Sequence, residues 1–274
     1  MRTLLLISAA TLFFASCQSD SLIRPGDSIE VAFEKAMNLY EQEEWSDAAR
    51  AFETVVSIGR GTDIGQDAQF YLAESYFNNR RYLIAASEYD RFVQFYPNSP
   101  RRVEVDFKRA KSYYNLSPRY RLDQEYTYRA LELFRLFNSR YPDSEYVAES
   151  SELITEMREK LARKQYSAGE FYKRTSRYNA AAVYYDIVID DFPETSWAQL
   201  ALVSQMESYI LFAENSVRAR QKERFELALE SYYTYLQLFP RGEHRSEMER
   251  LYERAQRGLT EVEQRESVAS QSSR

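Results

Sequence analysis

Residues that break helices are scarce in this chain of 274 residues, which contains only seven glycines and seven prolines. All-β sandwiches and barrels need such residues in turns at short intervals, so their scarcity argues against an all-β fold and favours long helices. Apolar residues make up 44% of the chain, which is enough to build a sizeable core. An all-α protein is therefore expected.

Residues that support catalysis or metal binding are also scarce, because the chain has one cysteine, Cys17, and one histidine, His244. A single cysteine cannot form an internal disulfide. One residue of each type cannot supply a structural zinc site or a Cys–His dyad. The turn at Gly59-Arg60-Gly61 lacks the Lys-Ser or Lys-Thr of a phosphate-binding loop. We expect no enzymatic activity, no cofactor and no metal.

Positive charge is in deficit, with 36 Lys and Arg against 42 Asp and Glu and a formal net charge of -6. This balance favours solubility and argues against nucleic acid as the main partner. Aromatic residues are abundant instead, with 23 tyrosines and 16 phenylalanines. Such residues fill helix–helix contacts and also form protein-binding surfaces, so other proteins are the expected partners.

The first residues have the layout of a bacterial secretion signal. A positive start at Arg2 precedes a mostly apolar run over residues 4–14, which is shorter than the ~20 residues that span a bilayer. The run ends at Phe14-Ala15-Ser16-Cys17, which resembles a lipobox with Phe where Leu is usual. The resemblance implies a lipoprotein signal peptide over residues 1–16 and a covalent lipid on Cys17.

The residues after Cys17 indicate the membrane in which the protein is anchored. A polar tether is expected over residues 17–28, beginning with Gln18. In the enterobacterial lipoproteins that this segment resembles, an Asp directly after the cysteine signals retention in the inner membrane. Gln18 occupies that position here, so the resemblance implies a lipid-anchored protein on the periplasmic face of the outer membrane.

A repeat occupies most of the remaining chain. Four prolines that follow an aromatic residue are spaced by 45, 51 and 47 residues: Pro97, Pro142, Pro193 and Pro240. An Ala lies twelve residues before each proline, an aromatic residue lies eight before, and an aromatic or Val lies five before. These positions are Ala85, Tyr89, Phe92; Ala130, Phe134, Phe137; Ala181, Tyr185, Val188; and Ala228, Tyr232, Tyr235. An earlier unit without the proline has Trp45, Ala48, Phe52 and Val55.

The spacing of the repeat has a direct physical interpretation. Ala, aromatic and apolar residues at these intervals lie on one face of a helix, and the proline ends that helix. Each unit is a helical hairpin that cannot bury its apolar face alone, so the hairpins must stack. The pattern resembles the tetratricopeptide repeat, a 34-residue helix-turn-helix module. This resemblance implies an all-α superhelical solenoid of about five hairpins over residues 29–262, with a C-terminal capping helix.

Several segments depart from the repeat consensus. The third unit has extra residues around 117–121, and the fifth has extra residues around 213–223. A long connecting helix is expected over residues 145–164 and a charged capping helix over residues 243–266. We predict that the polar residues 263–274 form a disordered tail.

The first helix of each hairpin lines a concave groove in this repeat class. Matching the motif gives the candidate groove residues Phe33, Met37, Tyr40 and Glu41 in the first unit and Asp67, Phe70, Glu74, Phe77 and Asn78 in the second. Aromatic side chains beside polar groups suit the capture of an extended peptide. The alternative is that the phenylalanines only pack between repeats.

Taken together, the lipobox, the five repeat units and the two insertions resemble the BamD family, the lipoproteins of the β-barrel assembly (BAM) complex. The resemblance implies a scaffold whose C-terminal units dock on the periplasmic domains of the BamA insertase, beside other assembly-complex subunits. Its N-terminal groove would receive unfolded outer-membrane proteins, without ATP or metal.

Three other functions stay open from the sequence. The first is another envelope repeat adaptor lipoprotein that coordinates peptidoglycan synthesis or cell division, although the five units and two insertions favour the BamD family. The second is a glycan-binding lipoprotein, although such chains are usually much longer. The third is a hydrolase, which the missing nucleophile–base set disfavours.

Overall fold

A computed structural model describes residues 22–272, so Cys17 and the expected signal peptide lie outside the described residues. Residues 22–272 form eleven α-helices and no strand, which confirms the predicted all-α class. The helices are α1 (Ile29–Glu41), α2 (Trp45–Ile58), α3 (Asp63–Asn78), α4 (Tyr82–Phe95), α5 (Arg102–Leu116), α6 (Glu125–Arg140), α7 (Val147–Arg174), α8 (Tyr178–Asp191), α9 (Ser196–Glu214), α10 (Arg218–Leu238) and α11 (Arg245–Ser272).

The first of two compact units ends at Phe95 and contains two hairpins, α1–α2 and α3–α4. Each helix packs on the next, and α1 also contacts α3. Ser28 is the N-cap of α1, because its side chain accepts a hydrogen bond from the backbone N–H of Val31. Alanines dominate one buried cluster of this unit, which consists of Ala32, Ala36, Ala48, Ala49, Ala51, Phe52, Val55, Ala68 and Leu72.

The second unit, Tyr96–Arg274, contains the hairpins α5–α6, α7–α8 and α9–α10 and the final helix α11. Consecutive helices pack on one another, and α9 also contacts α7 and α11. Met248 and Ala255 of α11 are fully buried, and Val262 is buried with them in the core of this unit. α11 therefore closes the last hairpin, as the predicted capping helix should.

The repeat positions form the interior of both units. In all five hairpins the consensus Ala and the residue seven positions after it are buried, and the aromatic between them is buried in all but one, at the half-buried Tyr232. Three hairpin turns also share one backbone feature. Glu43, Arg80 and Ser176, each two residues before the second helix, have left-handed φ angles of 60°, 59° and 56°.

Three features differ from the sequence expectations. α7 is a single helix of 28 residues that joins the expected connecting helix to the first helix of the fourth hairpin, because the segment has no proline and no glycine before Gly169. The extra residues around 213–223, which the sequence showed only as an insertion, mostly lengthen α9 and α10, with a short turn at 215–217 between them.

The third difference concerns the expected disordered tail from residue 263. α11 continues to Ser272, because Val262 is buried and Glu263 forms an ion pair with Lys222 of α10 at 3.1 Å. Arg265 donates a hydrogen bond of 2.9 Å to the backbone oxygen of Glu261, and no glycine or proline interrupts the last turns.

Candidate functional site

Two of the predicted groove residues on α1 are held by aromatic contacts. The ring of Phe33 lies 5.8 Å from that of Phe52 and 6.2 Å from that of Tyr71, in edge-to-face arrangements. Tyr40 packs in the same way on Tyr71, at 5.2 Å. The Tyr40 hydroxyl accepts a hydrogen bond of 3.2 Å from Nδ2 of Asn78, so α1 and α3 present these two predicted groove residues together.

Two predicted groove residues of α3 are interior residues. Phe70 is only 4% exposed, and its ring packs on Tyr71 and Phe92 at centroid distances of 5.3 and 6.3 Å. Glu74 is 5% exposed and accepts a hydrogen bond from the hydroxyl of Tyr89. These two side chains therefore do not offer the accessible groove surface that the motif predicted, and for Phe70 the packing alternative applies.

The position of Glu74 recurs in the fourth hairpin. Glu170 follows the small Gly169 just as Glu74 follows Ala73, and Glu170 accepts a hydrogen bond of 2.5 Å from Tyr185. The tyrosine lies fifteen residues after the glutamate in both hairpins. This repeated Glu–Tyr pair is a sequence signal that would have indicated that Glu74 is bound to a tyrosine of the next helix, as a buried carboxylate needs such a partner, although Glu170 in the matching pair is only half-buried.

The remaining predicted residues keep accessible surface. Met37 and Phe77 are half-buried, whereas Glu41 and Asn78 are exposed. Phe33 and Tyr40 are also half-buried. We call Phe33, Met37, Tyr40, Glu41, Phe77 and Asn78 the α1–α3 surface. The half-buried Asp67 lies one turn before the interior Phe70 on α3.

A second candidate site lies in the second unit and was not predicted as a site. The insertion in the third hairpin forms a loop over residues 117–124, between α5 and α6. With α7 and the start of α9, this loop encloses a cleft of about 950 Å³. The cleft, here called the cationic cleft, is lined by Arg119, Tyr120, Arg121, Leu122, Glu159, Lys160, Arg163, Ser196 and Trp197.

Aromatic rings and arginines are interleaved in the cationic cleft. The guanidinium of Arg163 lies 4.5 Å from the ring centroid of Tyr120 and 5.8 Å from that of Trp197. Nε of Arg121 donates a hydrogen bond of 3.0 Å to the Tyr120 hydroxyl. Hydrogen bonding with Arg121 and Ser167 lowers the pKa of Tyr120 below its usual value. The insertion at 117–121 was the only signal in the sequence that pointed to this place.

No helix within residues 22–272 is both long and apolar enough to cross a bilayer. In the same part of the chain, no group of three or more His, Cys, Asp or Glu side chains is arranged to hold a metal ion.

Comparison with known proteins gives consistent matches. The model of the YfiO family, described as "Outer membrane lipoprotein", matches residues 25–225. The "Outer membrane protein assembly factor BamD" of Caulobacter vibrioides is 23% identical over 192 residues, which cover 70% of this chain and 63% of that protein. The protein of the same name from Rickettsia prowazekii is 24% identical, covering 70% of this chain and 76% of that protein. The "Putative outer membrane protein assembly factor BamD" of Aquifex aeolicus is 26% identical, covering 81% and 74%.

Among solved structures, a tetratricopeptide-repeat protein from Bacteroides fragilis is 12% identical to this chain. The similarity covers 84% of this chain and 98% of that protein, with a TM-score of 0.45.

Proposed function

The chain belongs to the YfiO family of outer membrane lipoproteins, and from this membership we propose that it is a non-enzymatic scaffold in the assembly of outer-membrane proteins. The observation that carries the proposal is the extent of the family match. Residues 25–225 contain α1 to α9 and the first turns of α10, so the similarity extends over the hairpin array and is not confined to one motif. The array offers long helical surfaces, which suit protein partners.

The proposal places the protein at the periplasmic face of the outer membrane through a lipid on Cys17. The lipobox-like Phe14-Ala15-Ser16-Cys17 and the family description support this anchor. Several acyl chains, at ~0.8 kcal/mol per buried CH₂, would hold the chain firmly on the membrane. A Cys17→Ser variant tests the anchor, because it should fail to incorporate labelled palmitate and should leave the membrane fraction.

For its partners, we propose that the second unit docks on the periplasmic domains of the BamA insertase, together with other assembly-complex subunits. The α1–α3 surface would receive unfolded outer-membrane proteins. Its half-buried aromatics and exposed polar ends support this role, because an extended peptide needs apolar anchors beside hydrogen-bonding groups. Phe70 and Glu74 are excluded from this role by their burial.

A photo-cross-linking experiment tests substrate capture. A benzophenone amino acid is placed at Met37 or at Glu41, and the purified protein is mixed with a urea-denatured outer-membrane β-barrel protein. We expect cross-links from both positions. The matched control is Ser57, an exposed residue of α2 in the same unit, from which no cross-link is expected. Equal cross-linking from Ser57 would refute specific capture by the α1–α3 surface.

Affinity purification tests the scaffold role separately. The tagged full chain is isolated from gently solubilised membranes, and its partners are identified by mass spectrometry. The proposal predicts the BamA insertase in stoichiometric amount. Recovery of peptidoglycan enzymes or a nutrient transporter, with no insertase, would replace it with one of the other envelope functions.

A further inference from the structure

The cationic cleft has more positive charge than its own surroundings neutralise. Five cationic side chains line the cleft or its continuation along α7, and a sixth lies at the far end of that continuation: Arg119, Arg121, Lys160, Arg163, Lys164 and Arg174. Across residues 22–272, none of these six forms an ion pair with a carboxylate of the chain. Of the two acidic residues in the lining, Glu159 already binds the backbone N–H and hydroxyl of Ser196, at 2.8 and 2.9 Å.

The other acidic residue is also engaged. Glu170 accepts a hydrogen bond from Tyr185 and pairs with Lys173 at 2.9 Å. Four of the unneutralised cations, Arg119, Arg121, Arg163 and Arg174, are exposed. They lie in a concave site, where an anionic partner would lose less interaction energy to screening than on a flat surface.

The loop that forms one wall is held in place by its own hydrogen bonds. The buried Gln124 donates from Nε2 to the backbone oxygens of Arg119 and Leu122, each at 3.0 Å. Oγ1 of Thr127 in turn donates to Oε1 of Gln124 at 2.7 Å. Nζ of Lys164 donates to the oxygen of Leu122 at 2.6 Å, which ties the loop to α7. Because the wall is already ordered, a ligand would lose little free energy to ordering it.

The shape of the site favours an elongated ligand. A second cleft of about 600 Å³ shares Tyr120, Arg121, Arg163 and Trp197 with the first and continues along α7 to Arg174. Lys160, Arg163 and Arg174 lie on one face of α7, and at ~1.5 Å per residue the outer two are separated by roughly 21 Å along the helix. An extended peptide of about six residues has that length.

The distribution of charge in the cleft favours an extended peptide over a single phosphate group as the ligand. A phosphate needs several donors that converge on one point, whereas these cations are spread along the cleft. In an extended chain, alternate side chains lie on the same side at intervals of ~7 Å, so acidic residues at every second position could reach cations at more than one point along the cleft. The half-buried rings of Tyr120 and Trp197 line the same cleft and would contact the apolar side chains between the acidic ones.

We propose that the cationic cleft binds an extended segment of a partner protein in which acidic residues alternate with aromatic or aliphatic ones. Arg163 is the central contact, because its guanidinium lies close to both Tyr120 and Trp197 and the residue is exposed. The proposal does not depend on a role in outer-membrane assembly, because the recognition rests on the cleft alone.

The test uses the purified full chain and the hexapeptide Asp-Phe-Asp-Phe-Asp-Phe-amide, which carries fluorescein on its N-terminal amine. Fluorescence anisotropy should show saturable binding that weakens as NaCl is added, since the contacts are partly exposed ion pairs. The neutral peptide with Asn in place of each Asp should bind at least about tenfold more weakly. Equal binding of both peptides, or no binding of the acidic one, would overturn the proposal.

Variants localise the binding to the cleft. Arg163→Gln should weaken binding of the acidic peptide by about tenfold. Arg163→Lys keeps the charge but loses the planar stack, so its affinity should lie between those of the original protein and Arg163→Gln. Arg250→Gln, an exposed arginine of α11, is the matched control and should bind as the unchanged protein does. An equal loss in Arg250→Gln would show a non-specific charge effect and would refute the site.

An anionic membrane surface is the alternative ligand for the cationic cleft. Vesicles of phosphatidylcholine with and without phosphatidylglycerol are added to the same variants. If the anionic vesicles bind in an Arg163-dependent way and the acidic peptide does not, the cleft is a lipid site and the proposal is wrong.

Discussion

At the scale of single residues, Gly169 controls how closely α7 and α8 approach. A Cβ atom at this position would lie 2.5 Å from Cε1 of Tyr185, whose ring is fully buried and whose hydroxyl is bound to Glu170. In an exposed helix, Gly→Ala adds up to ~1 kcal/mol of stability. Here we expect Gly169→Ala to lower the free energy of unfolding by about 1–3 kcal/mol, because the ring cannot move away without repacking the core.

Equilibrium unfolding in urea measures this loss. The control is Glu152→Ala, at an exposed position of the same helix, which should change the free energy of unfolding by less than ~0.5 kcal/mol. A Gly169→Ala protein more stable than the original would mean that the two helices separate easily.

Glu170 gives a prediction about pH. Burial alone would raise the pKa of this carboxyl, but hydrogen bonds from Tyr185 and Lys173 lower it below its ordinary value of 4.5. A carboxyl with a lowered pKa in the folded state stabilises the protein above the unfolded pKa, and this stabilisation is lost as the pH falls through the folded pKa. We therefore expect Glu170→Gln to be less stable than the original protein at neutral pH.

The difference between the two proteins should shrink in acid. Unfolding free energies measured at a series of pH values should converge as the pH falls below about 4.5, the ordinary pKa of the group. A difference that stays constant over this range would show that Glu170 contributes through packing and not through its charge.

At the scale of helices and loops, the repeat pattern was sufficient to predict the fold. The interval from Ala85 to Tyr89 and Phe92 marks one helix face, and all three side chains are fully buried. That periodicity follows from local backbone geometry, which is why it can be read from the chain. The same reasoning explains why Glu74 was wrongly predicted as an accessible groove residue. The motif assigns a residue to a helix face but does not show whether a tyrosine of the next helix covers it.

The cationic cleft could not be predicted in the same way. Its wall depends on Gln124 reaching back to two backbone oxygens and on Lys164 reaching 42 residues back in the chain to Leu122. No periodic pattern encodes such contacts. The sequence showed the insertion and its two arginines, Arg119 and Arg121, but their position opposite Trp197 requires the folded structure.

The largest disagreement between the sequence prediction and the structure is at the end of α11, where a disordered tail was predicted and a helix is found. The side chain of Val268 is 64% exposed, whereas Leu259 and Val262 are buried in the core of the second unit. Removing residues 267–274 should change the free energy of unfolding by less than ~0.5 kcal/mol, and Leu259→Ala should lower it by about 2 kcal/mol or more. Circular dichroism at 222 nm should also fall slightly on truncation, because helical residues are removed. An unchanged signal would favour the disordered tail.

At the scale of the whole molecule, the two units have buried clusters of different composition. Six of the residues in the cluster of the first unit are alanines, with Phe52, Val55 and Leu72, whereas the second unit buries several large side chains from α5 to α11. Alanine removes little apolar area from water, and outside this cluster the described part of the first unit adds three large buried rings, Phe70, Tyr89 and Phe92, so its core contributes less free energy to folding than that of the second unit. We expect the first unit to unfold at a lower urea concentration than the second.

The two tryptophans can report on the units separately. Trp45 lies in α2, with its ring 5.0 Å from that of Tyr40, and Trp197 lies in α9, with its ring 5.2 Å from that of Tyr166. In single-tryptophan variants, made by Trp197→Phe and Trp45→Phe, the fluorescence of Trp45 should change at a lower midpoint than that of Trp197. Coincident midpoints would mean that the units unfold in one cooperative step. Circular dichroism of each variant against the original protein controls for damage by the substitution, since both tryptophans are half-buried and should be replaceable by Phe without loss of helix.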